Sequence, residues 1–183
     1  MKDITDVEKK IKNKGINLNN LGFWAIGIRL FHFLTQILPE GSSILEIGSG
    51  SGTVELSKLY RVYSIENNVE YVGLTNKATY IYAPLKDGWY DVGILRDVLK
   101  EITYEAIIVD GPSQAAGGRK GFIDNIDLFD VGVWIIVDDI NRPCDLHIYK
   151  TLAEMLNRKT VEIKECDKSF GVICKNDWIS SNT

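Results

Sequence analysis

The chain is poor in cysteine, and that scarcity excludes several protein classes. Its 183 residues include only Cys144, Cys166 and Cys174, which leave an odd count and show no CxxC spacing. A disulfide framework and a structural zinc site are therefore not expected. We expect a reducing, cytoplasmic environment.

Clusters of positive charge are also missing. The formal net charge is −4, and basic residues such as Lys58, Arg119 and Arg142 are scattered along the chain. This pattern argues against general nucleic-acid binding. The polar first six residues also lack the apolar core of a signal peptide, so none is expected.

No long apolar run is free of polar side chains. The segment Leu21–Leu38 is rich in Phe, Leu and Ile, but it contains Arg29, His32 and Gln36 at positions i, i+3 and i+7. A single polar stripe of this kind predicts an amphipathic helix that packs on a domain and does not span a membrane. A shorter helix is predicted before it, over Asp3–Asn13.

The composition that remains is typical of one soluble domain. Apolar residues make up 45% of the chain and charged residues 25%, and the length is sufficient to bury a substantial core. The polar residues 178–183 are expected to form a flexible tail.

The most informative segment is an apolar strand followed at once by three glycines, Gly48, Gly50 and Gly52. Glycine permits positive φ and a close approach of the backbone to a ligand. Apolar residues at helical spacing follow the turn, so a strand, a glycine turn and a helix are predicted in succession. Such a turn indicates a site for a nucleotide-like ligand.

The glycine spacing separates two cofactor classes. A dinucleotide fingerprint G-x-G-x-x-G would need glycine at position 53, which is Thr53. The pattern from Glu46 to Gly52, E-x-G-x-G-x-G, instead resembles motif I of the class I S-adenosylmethionine-dependent methyltransferases. Glu66, at the end of the next predicted strand, matches the acid of motif II that binds the ribose hydroxyls, although NAD enzymes also place an acid there.

The resemblance implies S-adenosylmethionine as the cofactor and a set of residues that bind it. These residues are Glu46, Gly48, Ser49, Gly50, Gly52, Glu66, Asn67 and Asp110.

The alternation of strands and helices predicts an α/β fold. Five predicted strands are followed by 160–166 and 170–175, whose link of three residues requires an antiparallel hairpin. We expect a three-layer α/β/α sandwich with a Rossmann-like, seven-stranded, mostly parallel sheet and a C-terminal antiparallel hairpin. The resemblance implies a methyltransferase domain over residues 41–177 and helices within residues 1–40 that cap the cofactor cleft.

Acidic residues follow two neighbouring predicted strands. Asp110 ends the fourth strand, and Asp138 and Asp139 end the fifth. Adjacent strand ends lie about 5 Å apart, so these carboxylates should share one cleft. Oxygen ligands of this kind suit Mg²⁺ or another hard divalent cation. Alternatively, Asp138 or Asp139 caps the following helix and Asp110 binds loop amides.

The acidic pattern resembles a branch of the family that includes cation-assisted O-methyltransferases. The resemblance implies Asp110, Asp138 and Asp139 as metal ligands. The chain departs from the catechol-type pattern, because Asp-Gly-Pro stands where Asp-Ala-x-Lys would occur, so Arg119 or Lys120 would have to replace the missing lysine.

The resulting hypothesis is methyl transfer to a small-molecule acceptor, with oxygen as the expected target. Asp110, Asp138 and His147 are the candidate catalytic residues; His147 could equally be a surface or packing histidine. Two alternatives stay open, namely an NAD- or nucleotide-binding Rossmann oxidoreductase and a non-catalytic cofactor-binding module.

Overall fold

The computed structural model describes residues 9, 11–21, 26–164 and 168–176 of the chain. Parts of four predictions lie outside these residues. They are most of the helix over Asp3–Asn13, positions 22–25 of the helix over Leu21–Leu38, the end of the strand over 160–166 with the first residue of its link, Asp167, and the tail over 178–183.

A seven-stranded sheet forms the centre of the fold. The strands are β1 (Ser43–Ile47), β2 (Arg61–Glu66), β3 (Thr79–Tyr82), β4 (Ala106–Val109), β5 (Trp134–Val137), β6 (Thr160–Lys164) and β7 (Ser169–Ile173). The first five run parallel to one another, and the last two form an antiparallel hairpin whose second strand pairs with β5. The strand order is β3-β2-β1-β4-β5-β7-β6. The predicted fold is therefore confirmed.

The α-helices are α1 (Ile28–Ile37), α2 (Ser51–Leu56), α3 (Val92–Leu99), α4 (Lys120–Asp124) and α5 (Pro143–Leu156). Local sequence sets two of their starts. Asp91 caps α3 by accepting hydrogen bonds from the backbone N–H groups of Gly93 and Ile94, at 2.8 and 3.3 Å. Pro143 occupies the first turn of α5, where its missing N–H costs nothing.

Both faces of the sheet are buried, and each carries its own apolar cluster. Successive strand side chains point to opposite faces, so Ile108 of β4 packs in the cluster that includes α1, whereas Ile107 and Val109 pack in the other cluster. This two-sided burial explains why the central strands are continuous apolar runs. The result is a sheet between two helical layers, which brings the carboxyl ends of the parallel strands to one edge.

Helix α1 packs on this core through Leu30, Phe31 and Leu34, while Arg29 on the opposite side is exposed. The amphipathic reading is confirmed over a shorter span than predicted. No helix in the part of the chain that the structure describes combines the length and the apolar character needed to cross a membrane.

The structure adds a small hairpin, in which Leu85–Lys86 pairs with Trp89–Tyr90. Asp87 and Gly88 form its turn with φ of 54° and 79°, as expected for a two-residue turn of the Asp-Gly type. This hairpin is not among the elements predicted above, although the Asp-Gly pair is a strong signal for one. The hairpin brings Tyr90 to the edge of the sheet where the cavity lies.

Candidate functional site

A cavity of about 620 Å³ lies beyond the carboxyl ends of β1, β2, β4 and β5. Its walls are the glycine turn after β1, the segment after β2, the loop after β4 and the start of α5. This is the usual position of ligands in open α/β sheets, and the volume suits a small ligand.

Gly48 is required by a contact between two turns. It has φ of +94°, and a Cβ at this position would lie 2.9 Å from both the Cα and the N of Gly111, in the turn after β4. A Cβ on Gly111 would likewise lie 2.8 Å from the Cα of Gly48 and 2.6 Å from the hydroxyl oxygen of Tyr90. The two turns are therefore packed backbone against backbone, and neither position has room for a side chain.

Gly52 has a different role from the one its motif implies. A Cβ there would lie 3.1 Å from Cγ1 of Ile26, in the segment before α1. Gly52 does not line the cavity, whereas Gly48 and Gly50 do. The third glycine of the motif thus serves the packing of α2 against the N-terminal segment.

Glu46 lies behind the glycine turn, 2% exposed, and supports it through Thr53. The Thr53 hydroxyl donates to Oε2 of Glu46 at 2.6 Å and accepts from the backbone N–H of Gly50 at 2.9 Å. The Ser64 hydroxyl donates to the same carboxylate oxygen at 2.7 Å. Burial raises the pKa of Glu46 to about 7, although these hydrogen bonds lower it.

Glu66 faces the cavity with a fully occupied carboxylate. Its Oε2 accepts from the backbone N–H and the hydroxyl of Ser49, both at 2.8 Å. Its Oε1 accepts from the backbone N–H groups of Asn67 and Asn68 at 2.8 and 2.6 Å. These bonds use the four acceptor positions of a carboxylate and fix the glycine turn to the end of β2.

Three carboxylates converge at the other end of the cavity. One oxygen from each of Asp110, Asp138 and Asp139 lies within 4.8 Å of the others. We call this group the carboxylate cluster. The prediction that the ends of β4 and β5 bring these residues together is confirmed by their positions.

Two consecutive aspartates reach one cluster because the backbone turns sharply between them. In an extended strand, neighbouring side chains point to opposite faces. Asp139, however, adopts a left-handed conformation with φ of +57°, and its carbonyl accepts from the backbone N–H of Arg142 at 2.8 Å. The chain therefore leaves β5 in a turn, which brings both carboxylates to the same side.

Arg119 binds two side chains of the carboxylate cluster. Its Nη2 donates to the side chain of Asp110 at 2.8 Å, to the carbonyl of Asp110 at 2.9 Å and to Oδ2 of Asp139 at 3.3 Å. Its Nη1 donates to the carbonyl of Asp138 and lies 3.7 Å from a carboxylate oxygen of Asp145. The guanidinium is almost completely buried.

Two further cations border the cluster. Nη1 of Arg142 lies 2.9 Å from Oδ2 of Asp139, and Nζ of Lys168 lies 3.6 Å from Oδ2 of Asp138. That Asp138 oxygen is buried and has no hydrogen-bond partner within the described ranges. Burial and the neighbouring carboxylates raise the pKa of Asp110, and burial raises the pKa of Asp138.

The cavity wall contains most of the predicted site residues. It includes Gly48, Ser49, Gly50, Glu66, Asn67, Asp110 and Asp139. The other four, Glu46, Gly52, Asp138 and His147, do not line it. Glu46 and Asp138 are buried behind the wall, and His147 is exposed on α5.

Asp145 and Lys168 line the cavity but were not singled out from the sequence. Asp145 could have been found as an acid in the first turn of the helix that follows Asp138 and Asp139. Lys168 immediately precedes β7, whose antiparallel pairing places its start beside the end of β5, as the 2.8 Å bond from Ile140 N–H to the Ser169 carbonyl shows. The predicted antiparallel hairpin could therefore have indicated that Lys168 lies near the end of β5.

The sheet order, the terminal hairpin and the position of the cavity define a class I methyltransferase fold. Solved structures with the same fold include MycE, a methyltransferase of the mycinamycin biosynthetic pathway determined with Mg, SAH and mycinamycin VI. It is 14% identical, with a TM-score of 0.59, and the match covers 94% of this chain and 55% of MycE. The chain thus spans about half the length of MycE.

Two further solved structures share the fold. A Staphylococcus aureus protein described as a caffeoyl-CoA O-methyltransferase is 12% identical, with a TM-score of 0.55, and the match covers 95% of this chain and 93% of that one. A Plasmodium falciparum protein described as a ribosomal RNA methyltransferase is 17% identical, with a TM-score of 0.51 and coverages of 81% and 94%. At these identities the similarity establishes the fold.

Neither a scan of protein-family models nor a search of the curated proteins gives a match.

Proposed function

We propose that the chain is an S-adenosylmethionine-dependent methyltransferase that acts on an oxygen of a small-molecule acceptor. The observation that carries the proposal is one continuous cavity with a glycine turn and Glu66 at one end and buried carboxylates at the other. The first end suits the cofactor, and the second suits an acceptor that must lose a proton.

Ser49 provides a way for Glu66 to accept a ribose hydroxyl. The Ser49 hydroxyl has one proton and two acceptors in reach, Glu66 at 2.8 Å and the carbonyl of Tyr71 at 3.2 Å. Rotation of this hydroxyl toward Tyr71 frees one acceptor position on Glu66. The glycine turn leaves backbone space for the amino-acid part of the cofactor, since Gly48 and Gly50 carry no side chains.

The acceptor end supports proton removal from a hydroxyl. Burial raises the pKa of Asp110, which makes its carboxylate a stronger base, and Asp110 lines the cavity. Methyl transfer from a sulfonium is an in-line displacement, so most of the catalysis consists of positioning the oxygen and excluding water. Arg142 and Asp145 supply further polar groups on the same wall.

The carboxylate cluster also has the chemistry of a site for Mg²⁺ or a similar cation. Its hard oxygen donors fit such an ion, and the buried Oδ2 of Asp138, which accepts no hydrogen bond from the described residues, is an available ligand. Asp110, Asp138 and Asp139 would hold the cation. When bound, it would lower the pKa of an acceptor hydroxyl.

Calorimetry with SAH and with NAD tests the cofactor assignment. We expect SAH to bind and to raise the melting temperature, because a ligand that binds only the folded state stabilises it. Transfer of a labelled methyl group to a panel of small hydroxyl compounds, with RNA as a comparison acceptor, then tests the acceptor class.

Glu66→Ala and Glu70→Ala form a matched pair for this experiment. Glu66 lines the cavity, whereas Glu70 is an exposed glutamate four residues later. We expect Glu66→Ala to weaken SAH binding at least about tenfold and Glu70→Ala to leave it unchanged. Binding of NAD without binding of SAH would refute the methyltransferase proposal.

A further inference from the structure

Arg119 contacts two of the three carboxylates that a divalent cation would need. Of the carboxylate cluster, it contacts the side chains of Asp110 and Asp139 directly, at 2.8 and 3.3 Å. A cation held by all three carboxylates would have to lie between one oxygen of each, and these oxygens are within 4.8 Å of one another. Because the buried guanidinium lies against two of the three side chains, Arg119 and the ion compete for the same carboxylates.

The charges at this end of the cavity also permit only one of the two occupants. This end of the cavity contains four acidic and three basic side chains. The acidic residues are Asp110, Asp138, Asp139 and Asp145, and the basic residues are Arg119, Arg142 and Lys168. When all seven are ionised, their net charge is −1. Addition of a divalent ion without loss of Arg119 would place like charges in contact in a buried site.

Arg119 is the buried cation with the closest contacts to the carboxylate cluster. It precedes α4 on the loop after β4, and its Nη atoms bridge the ends of both β4 and β5. Nζ of Lys168 lies 3.6 Å from Oδ2 of Asp138 and 3.8 Å from Oδ1 of Asp139, beyond hydrogen-bond distance. Arg142 contacts Asp139 alone within the carboxylate cluster, and its side chain is 43% exposed. Removal of Arg119 would therefore free side-chain oxygens of both Asp110 and Asp139, whereas removal of Arg142 would free only Asp139.

We propose that Arg119 and a divalent cation are alternative occupants of the carboxylate cluster, so that Arg119 is a positioning residue that lowers the metal affinity of this chain. The inference rests on the cation site proposed above. With Arg119 in place, its guanidinium holds Asp110 and Asp139 together, and Lys168 lies beside Asp138. With a cation bound, the Arg119 side chain must leave the carboxylate cluster.

The test is Mn²⁺ binding, measured by calorimetry and by the loss of the free-ion electron paramagnetic resonance signal. The proteins are the full chain, Arg119→Met, the matched control Arg142→Met, and the double variant Arg119→Met/Asp138→Asn. SAH binding is measured on the same samples.

We expect Arg119→Met to tighten Mn²⁺ binding at least about tenfold, the scale on which groups next to a metal site act. Arg142→Met should change it less than about threefold, because an exposed ion pair is weak. The double variant should lose the gain, because Asp138 supplies a ligand.

Arg119→Met leaves buried carboxylates facing one another, so its fold is checked by circular dichroism with and without Mn²⁺. If Mn²⁺ restores a fold that is otherwise lost, the proposal is supported. If the variant fails to fold in both conditions, Arg119→Gln decides, since glutamine removes the charge but can still donate hydrogen bonds to the carboxylates. Tighter Mn²⁺ binding by Arg119→Gln supports competition, and unchanged binding overturns it.

The two proposals fail separately. Unchanged Mn²⁺ affinity in a folded Arg119→Met variant that still binds SAH would overturn the competition and leave the cofactor assignment intact. Tighter Mn²⁺ binding in a protein that does not bind SAH would support the competition and refute the cofactor assignment.

Discussion

The two ends of the cavity are held together by different forces. At the end with the glycine turn, the turns at Gly48 and Gly111 touch through their backbones, and the Glu46 and Glu66 carboxylates accept hydrogen bonds from neighbouring hydroxyl and N–H groups. At the end with the carboxylate cluster, Arg119 joins side chains that come from three separate segments. Backbone contacts hold one end, and side-chain ion pairs hold the other.

This difference predicts where each end tolerates change. A backbone contact leaves no alternative arrangement, so substitution there should disturb the fold itself. In the ion-pair cluster, a substitution at the exposed rim, such as Arg142, should alter binding more than folding, whereas loss of the buried Arg119 should also lower the free energy of unfolding.

The largest effect is expected for Gly48→Ala. Left-handed strain and overlap with Gly111 should together lower the free energy of unfolding by about 2 to 5 kcal/mol, measured by urea denaturation. Gly73→Ala is the matched control, because Gly73 also has positive φ, +85°, but has no atom within 4 Å of a built Cβ. It should lose only about 1 to 2 kcal/mol. Equal losses in the two variants would show that the contact between the turns contributes nothing.

An intermediate effect is expected for Glu46→Gln, as a pH dependence. The pKa of Glu46 is about 7 in the folded protein and lower in the unfolded chain, so the folded state binds the extra proton between these values. Wild-type stability should therefore decline as pH rises from about 4.5 to about 7, by up to about 3 kcal/mol from this group. Glutamine cannot titrate, so the variant should gain stability relative to wild type over that interval.

The measurement is the difference in free energy of unfolding between wild type and variant at a series of pH values. Glu70→Gln, at an exposed position, is the matched control. A difference for Glu46→Gln that stays constant from pH 4.5 to pH 7.5 would contradict the assigned pKa.

The smallest effect is expected for His147→Ala. His147 is exposed on α5 and does not line the cavity, so the free energy of unfolding should change by no more than about 0.5 kcal/mol. Methyl transfer should stay within about twofold of wild type. A large loss of transfer with unchanged stability would restore His147 as a catalytic base.

The fold was predictable because its signals are local and repeated. Apolar runs at strand length, a glycine turn between strand and helix, and a short link before the last strand each correspond to one element of the sheet. The Asp87-Gly88 hairpin was equally predictable from its turn residues. Element ends were less certain, as with α1, which begins at Ile28 although apolar residues begin earlier.

Site residues were predictable only where they lie at the carboxyl end of a strand. Glu66 and Asp110 lie at the carboxyl ends of β2 and β4, so the topology alone brings them to the cavity. Arg119 reaches the carboxylate cluster from a loop whose path no periodicity describes, and its neighbour Lys120 instead pairs with Asp124 on the surface at 2.5 Å. Gly52 shows the opposite limit, because the glycine motif does not reveal which glycines line the cavity and which one packs against the segment before α1.

The contact between Gly48 and Gly111 has a consequence for engineering this chain toward new acceptors. Because each turn fills the space that a side chain on the other would require, the two positions behave as one unit, and a library that varies either alone would consist mostly of misfolded members. Diversity is better placed at Arg142 and Lys168, which line the cavity beside the carboxylate cluster but make no part of that contact. The contact between Gly48 and Gly111 then stays unchanged while the residues at positions 142 and 168 are varied.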